Sequence, residues 1–394
     1  MTALAVGLLA LGVGGAVLRP GGLPAWAVPT AAALAALAAG LVTPHQAGAG
    51  LRPLVAPLAF LLAAVPLGAL LDELGFFSAV AVVLGTSRHL GAGLWAMAGA
   101  VTAVLNLDAS VVLLTPLYVR VARRSGLDER SLAFQPVLLA SLASSGLPVS
   151  NLTNLIAASR DHLGTLDFVS HLGLPTVVAT TVGWFAYRHV LPPGVPVHAE
   201  AGEPDRRALV IGAAVVGAVL LGFTLGEAVG VAPWEVAAAA DVVLVCLLRR
   251  LPLRVLPWGT ALVAAALGLL AVAVVDRVPL DAALRGEGVV GLGRTVVLAA
   301  LGAAAVNNLP ALLVGLPALG AHPSPRVWAL LLGVNMSPLF VVTGSLAGLL
   351  WLDSVGRLGV EVRAVDYSRV GARVGLPALL AAVLVLGGLR ALGG

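Results

Sequence analysis

"SSGLPVSNLTN", residues 144–154, lies within a stretch from Ser131 to Ser159 that contains no charged residue. Its last five residues, Ser150 to Asn154, carry four polar side chains. Glycine and proline interrupt a helix and free backbone N–H and C=O groups. In hydrocarbon, each unpaired group is costly. Broken backbone at membrane depth is tolerated only when it is packed in protein or lines a watery cavity. Asn, Ser and Thr at such a break either satisfy the freed groups or face a small polar solute.

The rest of the chain places this stretch in a membrane. Of 394 residues, 59% are hydrophobic and only 11% are charged. A soluble domain carries about 25% charged residues. Apolar runs recur along the whole length, and about 20 such residues span a bilayer. Period-2 alternation, the mark of an outer-membrane barrel, is absent. The expected class is an all-α polytopic membrane protein with about 10–12 transmembrane segments. The run Thr2 to Leu18 lacks a basic leader and reads as a first membrane helix rather than a signal peptide.

The net charge of +4 comes from arginine, since the chain has no lysine. In a membrane protein such an excess marks cytoplasmic loops, so nucleic-acid binding is not expected. The clearest basic loops are "RVARRSGLDER" (120–130) and "LRRLPLR" (248–254). Between them the windows 131–159, 168–187, 208–226 and 233–248 give an even number of crossings, which keeps both loops on the cytoplasmic side. The same count places the Pro-rich, polar stretch 189–207 there. It divides the chain into an N-terminal transmembrane repeat, 1–188, and a C-terminal one, 208–394.

Each half holds a pair of unusual segments. "NLDASVVLLTP" (106–116) precedes 144–154, and "VNNLPALLVGLP" (306–317) precedes "GVNMSPLFVVTGS" (333–345). Gly/Pro-interrupted segments at corresponding places in two halves point to a transporter's binding site. For one Ser, Thr or Asn alone, back-bonding to the preceding turn or glue between helices is the commoner role. The pairing of four clusters favours a site. Asp108 lies between apolar flanks, and an intramembrane acid is a functional candidate by default. Away from water and counter-charge it suits a proton carrier. Asp241, in "WEVAAAADVVLVC" (234–246), is a weaker second candidate for proton coupling, and Glu235 sits near a helix start.

Other chemistries find little support. A P-loop needs a lysine the chain lacks, so ATP hydrolysis within it is not expected. The seven histidines are scattered without metal-ligand spacing. The single cysteine, Cys246, excludes a disulfide framework and reads as an inert thiol in an apolar run. "TGSLAG" (343–348) is a weak match to a phosphate loop. No Ser/His/Asp set supports an enzyme, and no cofactor or metal is expected.

Four motifs together resemble the arsenite efflux permease family, the ArsB type, of the wider ion-transporter superfamily: "LDASVVLLTPLYV" (107–119), "LPVSNLTNLIA" (147–157), "VNNLPALLVGL" (306–316) and "NMSPLFVVTGSLAGLLWL" (335–352). The resemblance covers both halves in order. It implies two inverted repeats, each with a re-entrant hairpin and a broken helix, in the plasma membrane. It implies export of arsenite or antimonite in exchange for protons. It leaves open a homodimer and a soluble ATPase partner. By position it assigns Asp108, Thr115, Pro116, Ser150, Asn151, Thr153, Asn154, Asn307, Asn308, Pro310, Asn335, Pro338, Gly344 and Ser345 to the family's motifs. Asn106 and Thr343 join the polar set, so the expected substrate-binding residues are Asn106, Thr115, Ser150, Asn151, Thr153, Asn154, Asn307, Asn308, Asn335, Thr343 and Ser345. The chain departs at Leu107, where the family usually has Asn, at Ser141, where it often has Asn or Asp, and at Ser337, where it commonly has Gly.

Arsenite near neutral pH is an uncharged trihydroxide. Asn, Ser and Thr offer it donors and acceptors without a cationic clamp. A carboxylate would use Ser-Asn-Thr triplets with helix N-termini, but Leu152 separates Asn151 from Thr153. The alternatives are a sodium- or proton-coupled carboxylate transporter and a sodium/proton antiporter of the same superfamily. A membrane scaffold would leave the paired clusters unexplained.

Overall fold

The computed structural model describes residues 1–394 except 86–88, 193, 195–202, 276, 278–283, 285–287, 321–324 and 394. Among the described residues the regular structure is helical and there is no strand. Residues 193 and 195–202 of the 189–207 stretch lie outside the described residues. The stretch joins α11 (Leu174–Val190) to α12 (Arg206–Leu225).

The first half opens with α1 (Thr2–Leu18), α2 (Ala27–Ala38), α3 (Pro44–Leu51), α4 (Val55–Glu73) and α5 (Phe76–Gly85). Next come α6 (Leu90–Val104) and α7 (Leu107–Ser125), which form a hairpin with its tip at Asn106. The Thr102 hydroxyl donates to Ser110 Oγ (2.9 Å), and the Tyr118 hydroxyl donates to the Leu94 carbonyl. Both pairs straddle Asn106 evenly, as two antiparallel arms require. α7 ends at Gly126, whose φ of 67° turns the chain, and Asp128 caps α8 (Glu129–Leu142) by accepting from Ser131 N at 2.6 Å. α8 runs parallel to α6: Gln135 Nε2 donates to Gly91 O at 3.1 Å, and Gly99 faces Leu139 and Ala143. The helix then breaks over 143–151 and resumes as α9 (Leu152–Asp161). A short α10 (Thr165–Phe168) leads on to α11.

The second half repeats this plan after α12, α13 (Pro233–Leu248) and α14 (Trp258–Val275). α15 (Gly288–Val306) and α16 (Asn308–Ala318) form a hairpin with its tip at Asn307, and Gly302 faces Ala311 across it. α17 (Arg326–Met336) runs parallel to α15: Gly333 packs on Val296, Ala299 and Ala300, and Ser337 Oγ donates to Ala300 O at 2.6 Å. The chain breaks over 337–345 and resumes as α18 (Leu346–Arg357), followed by α19 (Ala364–Gly393).

The far ends of these elements show that the halves are inverted. Arg123, near the end of α7, donates from Nη2 to Leu358 O at the end of α18 (2.7 Å). Arg160, at the end of α9, donates from Nη2 to Gly320 O just beyond α16 (3.2 Å). α9 continues away from α8, so these two latches lie on opposite faces. One hairpin opens toward each face. A helix of ten residues such as α9 is about 15 Å long, half the hydrocarbon thickness, so the tips meet near the midplane.

Among the described residues, six helical stretches are long and apolar enough to cross a membrane alone: Pro44–Glu73, Thr165–Val190, Arg206–Phe223, Leu253–Val275, Gly288–Val306 and Ala364–Ala391. The remaining crossings are shorter or composite, since the breaks divide single spans into two short helices. The halves are interlocked. α1 and α2 of the first pack with α14 of the second as a small separate core. Trp351 on α18 donates from Nε1 to Ala133 O on α8 at 2.7 Å.

α19 approaches the second break so closely that only glycine fits. A Cβ on Gly371 would lie 1.6 Å from the Leu339 carbonyl oxygen, whereas one on Gly388 meets nothing within 4 Å. Overpacking of this kind costs about 1–3 kcal/mol. Gly371→Ala is therefore expected to lower the thermal unfolding midpoint in detergent, and Gly388→Ala to leave it unchanged or raise it slightly.

Candidate functional site

Four helix N-termini converge at the centre: α7, α9, α16 and α18. Each is capped by a residue from one of the polar clusters. Asn106 Oδ1 accepts from Asp108 N (2.7 Å) and Asn307 Oδ1 from Leu309 N (3.3 Å). Asn151 Oδ1 accepts from Thr153 N (3.2 Å) and Ser345 Oγ from Gly348 N (3.1 Å). Capping satisfies N–H groups that a helix start cannot pair internally. With no bulk water at that depth, the cap must come from the sequence.

The two hairpin tips also share a backbone conformation. Asn106 has φ 140° and ψ 154°, and Asn307 has φ 80° and ψ 153°. Side chains rarely tolerate this region, and holding one there costs about 1–3 kcal/mol. Asn tolerates positive φ better than most residues, and its own side chain closes the turn two residues on. The Asn-Leu-Asp and Asn-Asn-Leu sequences are thus tip-forming devices as well as polar clusters.

The four N-termini and α14 enclose a cavity of about 30 Å³ lined by Leu107, Asp108, Asn151, Leu152, Thr153, Thr260, Ala264, Asn307, Asn308, Leu309, Ser345 and Leu346. Asp108 is its only acid, and no basic side chain lines it. The Asp108 carboxylate has no ion-pair partner among the described residues. Four helix starts each bring partial positive charge and N–H groups toward this space. The arrangement offers donors from several directions, amide and hydroxyl oxygens as acceptors, and one carboxyl group able to carry a proton.

The structure sorts the expected site residues into groups. Asp108, Asn151, Thr153, Asn307, Asn308 and Ser345 line the cavity. Asn106 caps α7 beside it, and its buried Nδ2 has no partner among the described residues. Asn335, on α17, does not line it but anchors the first break. It accepts from Asn151 Nδ2 (3.0 Å) and Thr153 Oγ1 (2.6 Å), and it donates to Asn154 Oδ1 (2.7 Å) and Ser145 Oγ (3.3 Å). Ser150 and Asn154 satisfy the break's own carbonyls: the Asn154 amide donates to Ser144 O and Leu147 O, and the single Ser150 hydroxyl proton is within reach of the same two oxygens. Thr343 offers its carbonyl to Asn307 Nδ2 (3.0 Å) and lines a separate cavity of about 220 Å³ beside α1. Thr115 is buried further along α7, and its hydroxyl has no partner among the described residues. Asp241 lies on α13, which packs on α4 and α12 away from the cavity, and its Oδ1 likewise has no partner among the described residues. Thr260 and Ala264 of α14, and Ser145 beneath Asn335, were not anticipated.

The profile of the citrate transporter family, CitMHS, matches residues 6–333. The chain belongs to that family. An arsenical pump membrane protein of Escherichia coli strain K12 is 27% identical, with 93% of this chain and 94% of that protein covered. One from Yersinia enterocolitica is 28% identical, with 82% and 84% covered. These relatives agree with the resemblance carried by the four motifs. The fold is similar to that of the Alcanivorax borkumensis YdaH transporter, at a TM-score of 0.54, 16% identity and coverage of 88% and 87%. The chain is a multi-pass transporter of the plasma membrane and not an enzyme.

Asn335→Ala would leave two donors, Asn151 Nδ2 and Thr153 Oγ1, and the acceptor Asn154 Oδ1 without this partner, at about 1–3 kcal/mol for each unpaired buried group. It is expected to lower the unfolding midpoint in detergent well beyond Thr115→Ala, whose hydroxyl has no bond to lose.

Proposed function

We propose that the chain exports arsenite or antimonite in exchange for protons, by alternating access around the central cavity. The observation that carries this is the composition of the lining: amide, hydroxyl and backbone N–H groups with a single carboxyl and no cation. An uncharged trihydroxide needs donors and acceptors on several sides, and Asn and Thr supply both. The arsenical pump proteins among the relatives support the same substrate class. In this scheme Asn151, Thr153, Asn307, Asn308 and Ser345 contact the substrate, and Asp108 takes a proton from outside and releases it inside as substrate leaves. Asn335 positions Asn151 and Thr153. Asp241 is at most an accessory acid, since it lies outside the cavity.

A second reading draws on the four helix N-termini. Their converging positive ends would also suit a carboxylate, and the matched family is described as a citrate transporter.

Arsenic retention in cells lacking their own arsenite exporter decides between them. Expression of the chain is expected to lower retention. Asp108→Asn and Asn151→Ala, each present in the membrane at normal amounts, are expected to return it to the level of cells without the transporter. Full export by Asp108→Asn would remove Asp108 from the coupling. Unchanged retention with the parent chain, together with uptake of labelled citrate, would establish the carboxylate reading instead.

A further inference from the structure

A second cavity, of about 240 Å³, lies directly beyond the central one. The same three helices line both. On α9 the central cavity takes Leu152 and Thr153, and the second takes Ile156 and Arg160. On α14 the pairs are Thr260 and Ala264, then Gly268 and Ala271. On α16 they are Asn308 and Leu309, then Leu313 and Leu316. Each step is about one helical turn in the same direction, so the two spaces are stacked along one axis and separated by a few ångströms of side chain.

The second cavity is almost wholly apolar. Arg160 is the only charged residue in its lining. Its Nη2 holds Gly320 O, while its buried Nη1 has no hydrogen-bond partner among the described residues. A guanidinium N–H without a partner in an apolar wall is expensive. It is intelligible where a passing solute supplies the acceptor. The side follows from the fold. α7 carries Arg120, Arg123 and Arg124 toward the face that the positive-inside rule makes cytoplasmic, and α9 carries Arg160 toward the other.

We infer that this cavity is the outer vestibule of the transport pathway and that Arg160 is the residue that meets the oxygens of an oxo acid or oxyanion there. The inference rests on the central cavity being the transport site but not on which substrate uses it. Arg160 is the one charged group of the lining, with the Asp161 carboxylate beside it in sequence and within electrostatic reach; a guanidinium facing the cavity disfavours inorganic cations and leaves neutral or anionic oxygen compounds free to pass.

The test uses the full-length chain with its one cysteine replaced, Cys246→Ser, and a new cysteine introduced by Ala271→Cys. Membrane-impermeant methanethiosulfonates, one sulfonate-bearing and one trimethylammonium-bearing, are applied to intact cells and to inverted vesicles. Ser125→Cys, at the end of α7, serves as the cytoplasmic control and reports correct insertion. Ala271→Cys is expected to react in intact cells, and Ser125→Cys only in inverted vesicles. Reaction of Ala271→Cys only in inverted vesicles, or in neither preparation while the control reacts, would overturn the vestibule. The sulfonate reagent is expected to react faster than the cationic one at Ala271→Cys. That ratio should fall several-fold in Arg160→Gln and be kept in Arg160→Lys; an unchanged ratio in Arg160→Gln would overturn the role of Arg160. None of these readouts depends on arsenite, so failure of the arsenite proposal would show separately, as labelling without efflux.

Discussion

Asn335 commits its whole side chain to the other half of the molecule. Its carbonyl oxygen accepts from Asn151 and Thr153, and its amide donates to Asn154 and Ser145. These bonds hold the first break, where the chain leaves α8 and restarts as α9. A neutral hydrogen bond is worth only about 1 kcal/mol net, but an unsatisfied buried group costs more than a bond contributes. The break is therefore stable only while α17 stands beside it, and the cavity, whose wall includes Asn151 and Thr153, exists only while the break is held.

The halves share a plan but not this latch. Asn335 lies ten residues before the cap Ser345, and Ser141 lies ten before the cap Asn151. The Ser141 hydroxyl is too short to repeat the Asn335 network and makes no hydrogen bond among the described residues. The tips differ as well. Asn307 Nδ2 ties the second tip to Thr343 O, whereas Asn106 Nδ2 has no partner among the described residues. Among those residues, side-chain hydrogen bonds tie one break across the halves and not the other, and one tip to its own break and not the other. The untied tip is the one that carries Asp108.

Much of this arrangement is legible in the chain. Polar residues beside Gly and Pro in charge-free windows mark the two tips and two breaks, because little else explains polar side chains and helix breakers together at membrane depth. The role of each residue within a cluster is less legible. Asn151 and Asn154 are three residues apart in one motif, yet one faces the cavity and the other turns back to Ser144 and Leu147. That choice is set by where the broken backbone leaves its carbonyls, which is a tertiary fact. Thr260 gave no signal because a lone threonine in an apolar helix most often bonds to its own preceding turn. Asp241 drew notice for its charge alone, and sequence does not reveal that α13 stands away from the centre.

Under the proposed function, the cavity's electrostatics would link a proton and a solute. Each helix start counts as roughly half a positive charge when desolvated, and four of them surround one carboxyl group. With Asp108 ionised, the carboxylate offsets much of that field and a second anion is disfavoured beside it. With Asp108 protonated, the N-termini face the cavity uncompensated and favour any solute that brings lone pairs. Under the proposed function, the proton and the solute would therefore alter each other's standing in the site through charge alone, without a contact between them. A site built from N-termini around one acid would then need no separate device to couple the two.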